Sequence, residues 1–192
     1  MKPIDPDLLP KLCSAADLLP TPYRLAWYLA LEAGLRIGEI TKLAWCDLVH
    51  QNKPLSAIRL DAAITKRHVE RTIPITRALA AEIQHAWNNS AHPNGYSPAH
   101  YAMAKHPDGK PLDARSIQRR FAALGRREIG YPINPHDLRH TYAKRLLAVS
   151  DLPTVQAALG HRRINTTAIY TRQGLAEIRV ATDKLPNPHH HP

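Results

Sequence analysis

Cysteine is scarce in this chain. Two occur in 192 residues, Cys13 and Cys46, and neither stands at metal-ligand spacing. The pair suggests no disulfide framework, and a reducing cytoplasm suits the chain. Long apolar runs are missing too: none approaches the ~20 residues that a membrane span needs. The opening Met1-Lys2-Pro3-Ile4-Asp5-Pro6 lacks the apolar stretch of a secretory signal. No G-x-x-x-x-G-K-[ST] loop and no compact carboxylate cluster occurs, so neither ATP-driven nor two-metal chemistry has a visible basis. Acidic residues are in short supply: 16 against 26 Lys and Arg, a net charge of +10. That excess favours a polyanion, above all nucleic acid, although it would suit a ribosome-associated protein equally.

What is present points to one domain. Hydrophobic residues make up 44% of the chain, ordinary for a globular protein with a real core. Twelve histidines are scattered, and their only cluster is His189-His190-His191. No metal site and no cofactor is expected. Residues 1–22 read as a lead-in with a short helix near Asp7–Leu18, residues 23–184 as the functional domain, and residues 185–192 as a disordered tail. No repeat or low-complexity tract interrupts them.

Periodicity places helices over Tyr23–Ala33, Ile37–Ala44, Thr76–Asn88, Asp113–Glu128, Pro135–Val149, Pro153–Leu159 and Leu175–Leu185. Ala57–Leu60 and Arg71–Ile75 alternate as strands, with Lys66 near the tip between them. Residues 90–111 read as a long loop. The fold class is therefore α+β, mainly α-helical, with a small antiparallel hairpin to one side. The helix from Asp113 carries Arg115, Arg119, Arg120, Arg126 and Arg127 against one acid, Glu128. Such a face is either solvated or a contact for phosphates.

The chemistry concentrates in Asn134-Pro135-His136-Asp137-Leu138-Arg139-His140-Thr141-Tyr142-Ala143, followed by Leu159-Gly160-His161 and Thr166-Thr167-Ala168-Ile169-Tyr170-Thr171. His136 and Arg139 lie three apart and share a helix face. Asn134 suits the N-cap and Pro135 the first helical position, so free backbone N–H groups point at the same place. A His and an Arg at a helix start make a phosphate site, and a Tyr in reach is a candidate nucleophile. Each residue has an ordinary alternative. Tyr170 suits a core, His161 a cap, and Lys66 a solvated tip. Arg139 suits an ion pair with Asp137 or Glu128, and Arg36 one with Glu32 or Glu39.

The order of the motifs changes that balance. H-x-x-R-H-T-x-A, then L-G-H, then T-T-x-x-Y-T resembles the tyrosine recombinases, or phage-type integrases. Gly34-Leu35-Arg36-Ile37-Gly38-Glu39-Ile40 is similar to the first arginine motif of that family. Thr65-Lys66 with Glu70-Arg71-Thr72-Ile73-Pro74-Ile75 resembles its lysine hairpin, with Lys66 eight residues before Pro74. The four motifs cover roughly residues 24–184.

The resemblance implies the tyrosine-recombinase catalytic fold and a site of Arg36, Lys66, His136, Arg139, His161 and Tyr170. Tyr170 would attack a DNA phosphorus, and the two arginines would hold the non-bridging oxygens. His136 would take the phenol proton, His161 would donate to the phosphate, and Lys66 would protonate the departing 5′-oxygen. The product would be a 3′-phosphotyrosyl link, religated without metal or ATP. Arg115, Arg119, Arg120, Arg162 and Arg163 are candidate DNA contacts. Implied partners are double-stranded DNA and three further copies, a homotetramer on paired sites that is a monomer when free, with Leu175–Leu185 as the arm that docks on a neighbour. The implied setting is the cytoplasm, at the nucleoid when DNA is bound, with no membrane partner. Members of the family typically carry an N-terminal helical domain as well. Two arrangements fit its absence here: a catalytic piece of a longer protein, or a short single-domain recombinase like the fimbrial invertases. A topoisomerase IB-like relaxase and a non-catalytic DNA-binding regulator are the rival functions.

Overall fold

The computed structural model describes residues 3–61, 70–90, 100–104, 110–160, 175–186 and 188. Among these residues the chain forms eight α-helices and two antiparallel hairpins, a mainly helical α+β domain. At its centre lies α2 (Thr21–Glu32), whose Leu25, Ala26, Trp27, Leu29, Ala30 and Leu31 are fully buried. A helix that is apolar all round must be wrapped by others. Here α4 (Arg77–Asn89), α5 (Ala114–Ile129) and α6 (Pro135–Leu147) surround it. Each large aliphatic side chain so buried contributes roughly 1.5–3 kcal/mol. Helix α1 (Leu9–Ala16) adds Leu9, Leu12 and Cys13 to this core and packs on α5.

Three short elements set the site side. Helix α3 (Ile37–Ile40) is shorter than the periodicity predicts. It stops because Ala44 bridges to Tyr101 and the Trp45 N–H donates to the His100 carbonyl at 2.9 Å, which pulls the chain out of helical register. A hairpin of β1 (Val49–His50) and β2 (Lys53–Pro54) turns through Gln51 and Asn52, both at positive φ (48° and 62°), as a tight hairpin turn requires. Strands β3 (Ala57–Leu60) and β4 (Arg71–Pro74) pair from Ala57↔Pro74 to Leu60↔Arg71.

Beyond α6, α7 (Leu152–Leu159) starts on Asp151, whose carboxylate accepts the Thr154 N–H at 2.9 Å, and ends at Gly160 with φ 63°. Helix α8 (Leu175–Asp183) returns against α7 and β4 of its own chain. It buries Ile178 and Ala181 with Tyr142, Leu146, Val155 and Leu159 in a second apolar cluster. Arg145 of α6 ties the end of the described chain down, donating to the Pro186 carbonyl at 2.6 Å and to Glu32 at 2.6 Å.

Candidate active site

Three chain segments meet above the C-terminal end of α2. The first is the turn after α2. Gly34 sits there at φ +61°, and Arg36 follows as the N-cap of α3. The backbone N–H of Arg36 donates to Glu39 at 2.8 Å, and its Nη1 donates to the same carboxylate at 3.0 Å. The second is the start of α6. Asn134 holds the N-cap position, but its side chain makes no capping bond; instead the Asp137 carboxylate accepts the Asn134 N–H at 2.9 Å. His136 and Arg139 then fall on one side of the first turns. The third is the end of α7, at Leu159 and Gly160.

Arg139 joins all three. It is buried, its Nη1 donates to the Gly34 carbonyl, and its Nη2 donates to the Leu159 carbonyl at 2.7 Å. It therefore makes no pair with Asp137 or Glu128. Each terminal nitrogen has a second N–H, and Nε one more, and none of these three has a partner among the described residues. Burial, with the charges of Arg36 and Arg71 beside it, lowers the Arg139 pKa to about 9, still charged at neutral pH. His136 stands at the exposed rim, its ring 6.0 Å from that of His140. Desolvation at its base, then the charges of Arg139, His140 and Arg36, hold its pKa below the ordinary histidine value. A neutral imidazole at this place is a proton acceptor.

Arg71, which sequence reasoning left unassigned, completes the floor. It reaches in from β4 and lays both terminal nitrogens on Glu39, Nη1 to Oε1 at 3.0 Å and Nη2 to Oε2 at 2.7 Å. The floor thus holds three guanidiniums against one carboxylate, an excess of two positive charges facing where an anion would sit. A signal for Arg71 did exist in the sequence. In a strand, residues two apart share a face, so Arg71 is in phase with the inward Ile73, which a solvent-facing arginine would not be. Glu39, read from the sequence as an ion-pair partner of Arg36, does pair with it.

Lys66, His161 and Tyr170, with Arg162 and Arg163, lie outside the described residues. So the structure brings together Arg36, His136 and Arg139 of the six expected residues. Gly160, beside His161, adjoins Arg71, and Arg71 opens the strand that follows the Lys66 segment. Among the described residues no group of His, Cys, Asp and Glu could hold a metal ion.

Residues 2–176 match the model of the phage integrase family. The chain belongs to that family. It is 34% identical over 153 residues to the tyrosine recombinase XerC of Pseudomonas putida (strain W619), covering 79% of this chain and 48% of that protein. It is 36% identical over 152 residues to the XerC of Proteus mirabilis, covering 76% and 47%. The chain thus spans about half the length of these relatives. The XerA recombinase crystal structure superposes on 97% of this chain and 66% of that one, with a TM-score of 0.71 at 23% identity.

In this phage integrase chain the other candidate DNA contacts stand on α5. Arg115, Arg119 and Arg120 are exposed there. Arg120 lies over the Tyr23 ring, 5.1 Å from its centroid, and the Tyr23 hydroxyl meets Ser116 at 2.9 Å. Stacking of this kind stiffens an arginine while leaving its N–H edge outward.

Proposed function

We propose that this chain cleaves and rejoins duplex DNA strands through a covalent tyrosyl intermediate. The observation that carries the reading is the convergence of Arg36, Arg139 and a neutral-biased His136 on one net-positive floor, in a chain of the phage integrase family. The Tyr170 oxygen attacks a backbone phosphorus, and its proton passes to His136. The bond from phosphorus to the 5′-oxygen breaks, and that oxygen takes a proton from Lys66. The product is a 3′-phosphotyrosyl ester and a free 5′-hydroxyl. Attack of another strand's 5′-hydroxyl on the ester reverses the step and releases the tyrosine, with no net change in bond type and no need for ATP.

Charge explains why two arginines serve this step. A phosphodiester carries one negative charge and its five-coordinate transition state two. Cations fixed beforehand favour the second over the first. His161 donates to the same oxygens. Arg115, Arg119, Arg120, Arg162 and Arg163 hold flanking phosphates and set the duplex in register. Four copies on paired sites exchange strands, and the free protein is monomeric with α8 on its own chain. No described helix is long and apolar enough to cross a membrane, and DNA is the partner.

A nicked duplex that loses its short 5′ fragment after cleavage tests the reading, because the covalent adduct then accumulates. The wild-type chain gives a protein–DNA adduct stable to denaturant, and Tyr170→Phe gives none. An adduct that persists in Tyr170→Phe, or none with the wild type, refutes it.

A further inference from the structure

Glu39 stands between two arginines, and the way it is shared decides how much of Arg36 is left for a ligand. Carboxylates and guanidiniums prefer two parallel hydrogen bonds. Arg71 holds that position, with bonds of 3.0 and 2.7 Å to the two oxygens. Arg36 is left with one side-chain bond, Nη1 to Oε1 at 3.0 Å, while its backbone N–H takes Oε2. The second edge of the Arg36 fork has no partner among the described residues.

We propose that Arg71 is a positioning residue. By occupying both oxygens of Glu39 it stops that carboxylate from drawing Arg36 into a two-toothed pair, and so keeps the Arg36 fork and charge available to the phosphate. The inference rests on the reading that Arg36 binds the scissile phosphate.

Burial makes the competition severe. The side chains of Arg71 and Glu39 are 5% and 2% exposed, whereas that of Arg36 is 22% exposed. A carboxylate so far from water cannot stay unpaired. With Arg71 gone, Arg36 is the nearest cation able to satisfy it. Arg71 is itself too deep to meet DNA, which separates its role from that of Arg36. Its seat depends on Gly160: a Cβ there would stand 3.0 Å from Arg71 Cδ and 3.2 Å from Nη1. The residue that ends α7 is thus small where Arg71 passes beneath it.

The test is single-turnover cleavage of the nicked duplex, with the scissile phosphate either normal or replaced by a methylphosphonate. The methylphosphonate has no negative charge at phosphorus, so it depends less on a second cation. Rates are taken per folded molecule, with melting curves as the check. Arg71→Met is expected to lose about 100-fold on the normal phosphate and far less on the methylphosphonate. A residue needed only for the fold would lose equally on both, and that result overturns the proposal. So does a wild-type rate on the normal phosphate.

Should Arg71→Met fail to fold, a charge-balanced pair decides. With Glu39→Gln no carboxylate remains to capture Arg36, so Glu39→Gln and Arg71→Met/Glu39→Gln should cleave at the same rate. A double variant about 100-fold slower than Glu39→Gln alone overturns the proposal. Absence of any wild-type adduct would instead bring down the functional reading beneath it.

Discussion

Gly34→Ala is the substitution that should reach furthest into both the fold and the site. Gly34 lies at φ +61°, and a Cβ there would stand 2.4 Å from Tyr142 Cδ1, 2.8 Å from Tyr142 Cε1 and 3.1 Å from Leu159 Cδ2. The left-handed conformation costs a residue with a side chain roughly 1–2 kcal/mol. Forcing a carbon into that packed space costs roughly 1–3 kcal/mol more. The expected loss is about 2–5 kcal/mol, and each kcal/mol lowers the Tm of a chain this size by roughly 2–4 °C. Gly130→Ala is the control. Gly130 is also left-handed, at φ +82°, but a Cβ there meets nothing within 4 Å. It should lose only about 1 kcal/mol. Urea unfolding of the two variants separates backbone strain from crowding. Because the Gly34 carbonyl accepts from Arg139, Gly34→Ala should also slow adduct formation per folded molecule, and Gly130→Ala should not. Equal stability losses for the two variants would refute the tight contact with Tyr142.

Arg145→Ala removes the one cation paired with Glu32 among the described residues, a carboxylate 2% exposed and 2.6 Å away; a stability loss of roughly 3–5 kcal/mol in urea is expected, and Arg145→Met with Glu32→Gln should recover much of it. Glu82 supplies a pH signature. Burial pushes its carboxyl from an ordinary 4.5 up to about 7 despite the Arg24 guanidinium 2.7 Å away. Between those values the folded state binds the extra proton, so stability should fall as pH rises from 4.5 to 7 and level off beyond. Urea midpoints taken across that range should show the slope, and Glu82→Gln should abolish it. On α5, Arg115→Ala and Arg119→Ala should each weaken DNA binding regardless of sequence. Each should also shrink the slope of log affinity against log salt by about 0.9; an unchanged slope removes that residue from the interface.

The helices were legible in the sequence because their apolar period is long and their ends are marked. Gly34, Gly130 and Gly160 close α2, α5 and α7, and all three adopt the left-handed conformation that L side chains avoid. The paired strands were legible from alternation over Ala57–Leu60 and Arg71–Pro74. The hairpin of Val49–His50 with Lys53–Pro54 was not, since two residues are too few to show a period. In the site, the spacing of His136 and Arg139, and for Arg36 the resemblance to the family's arginine motif, single out three residues that the structure brings together; their roles belong to the proposed function. What spacing could not show is how Arg139 divides its hydrogen bonds between the Gly34 and Leu159 carbonyls, which depends on segments 105 and 20 residues away meeting in space. Arg71 escaped for a related reason: a cation in a strand is read as solvent-facing until its buried carboxylate is seen.

The seat of α8 on its own chain sets a leash. Gly160, next to the carbonyl that Arg139 grips, and Leu175, where α8 begins, are the nearest described residues on either side of Tyr170. Tyr170 is five residues from Leu175, a backbone reach of at most roughly 18 Å for a fully stretched chain. On the proposed mechanism, a docked α8 limits the phenol to a phosphate within that backbone reach plus the length of the tyrosine side chain, whichever copy holds the DNA. On that proposal a strand lying further off becomes available only if the helix undocks, so the packing of Ile178 and Ala181 also sets how far away the DNA that is cut can lie.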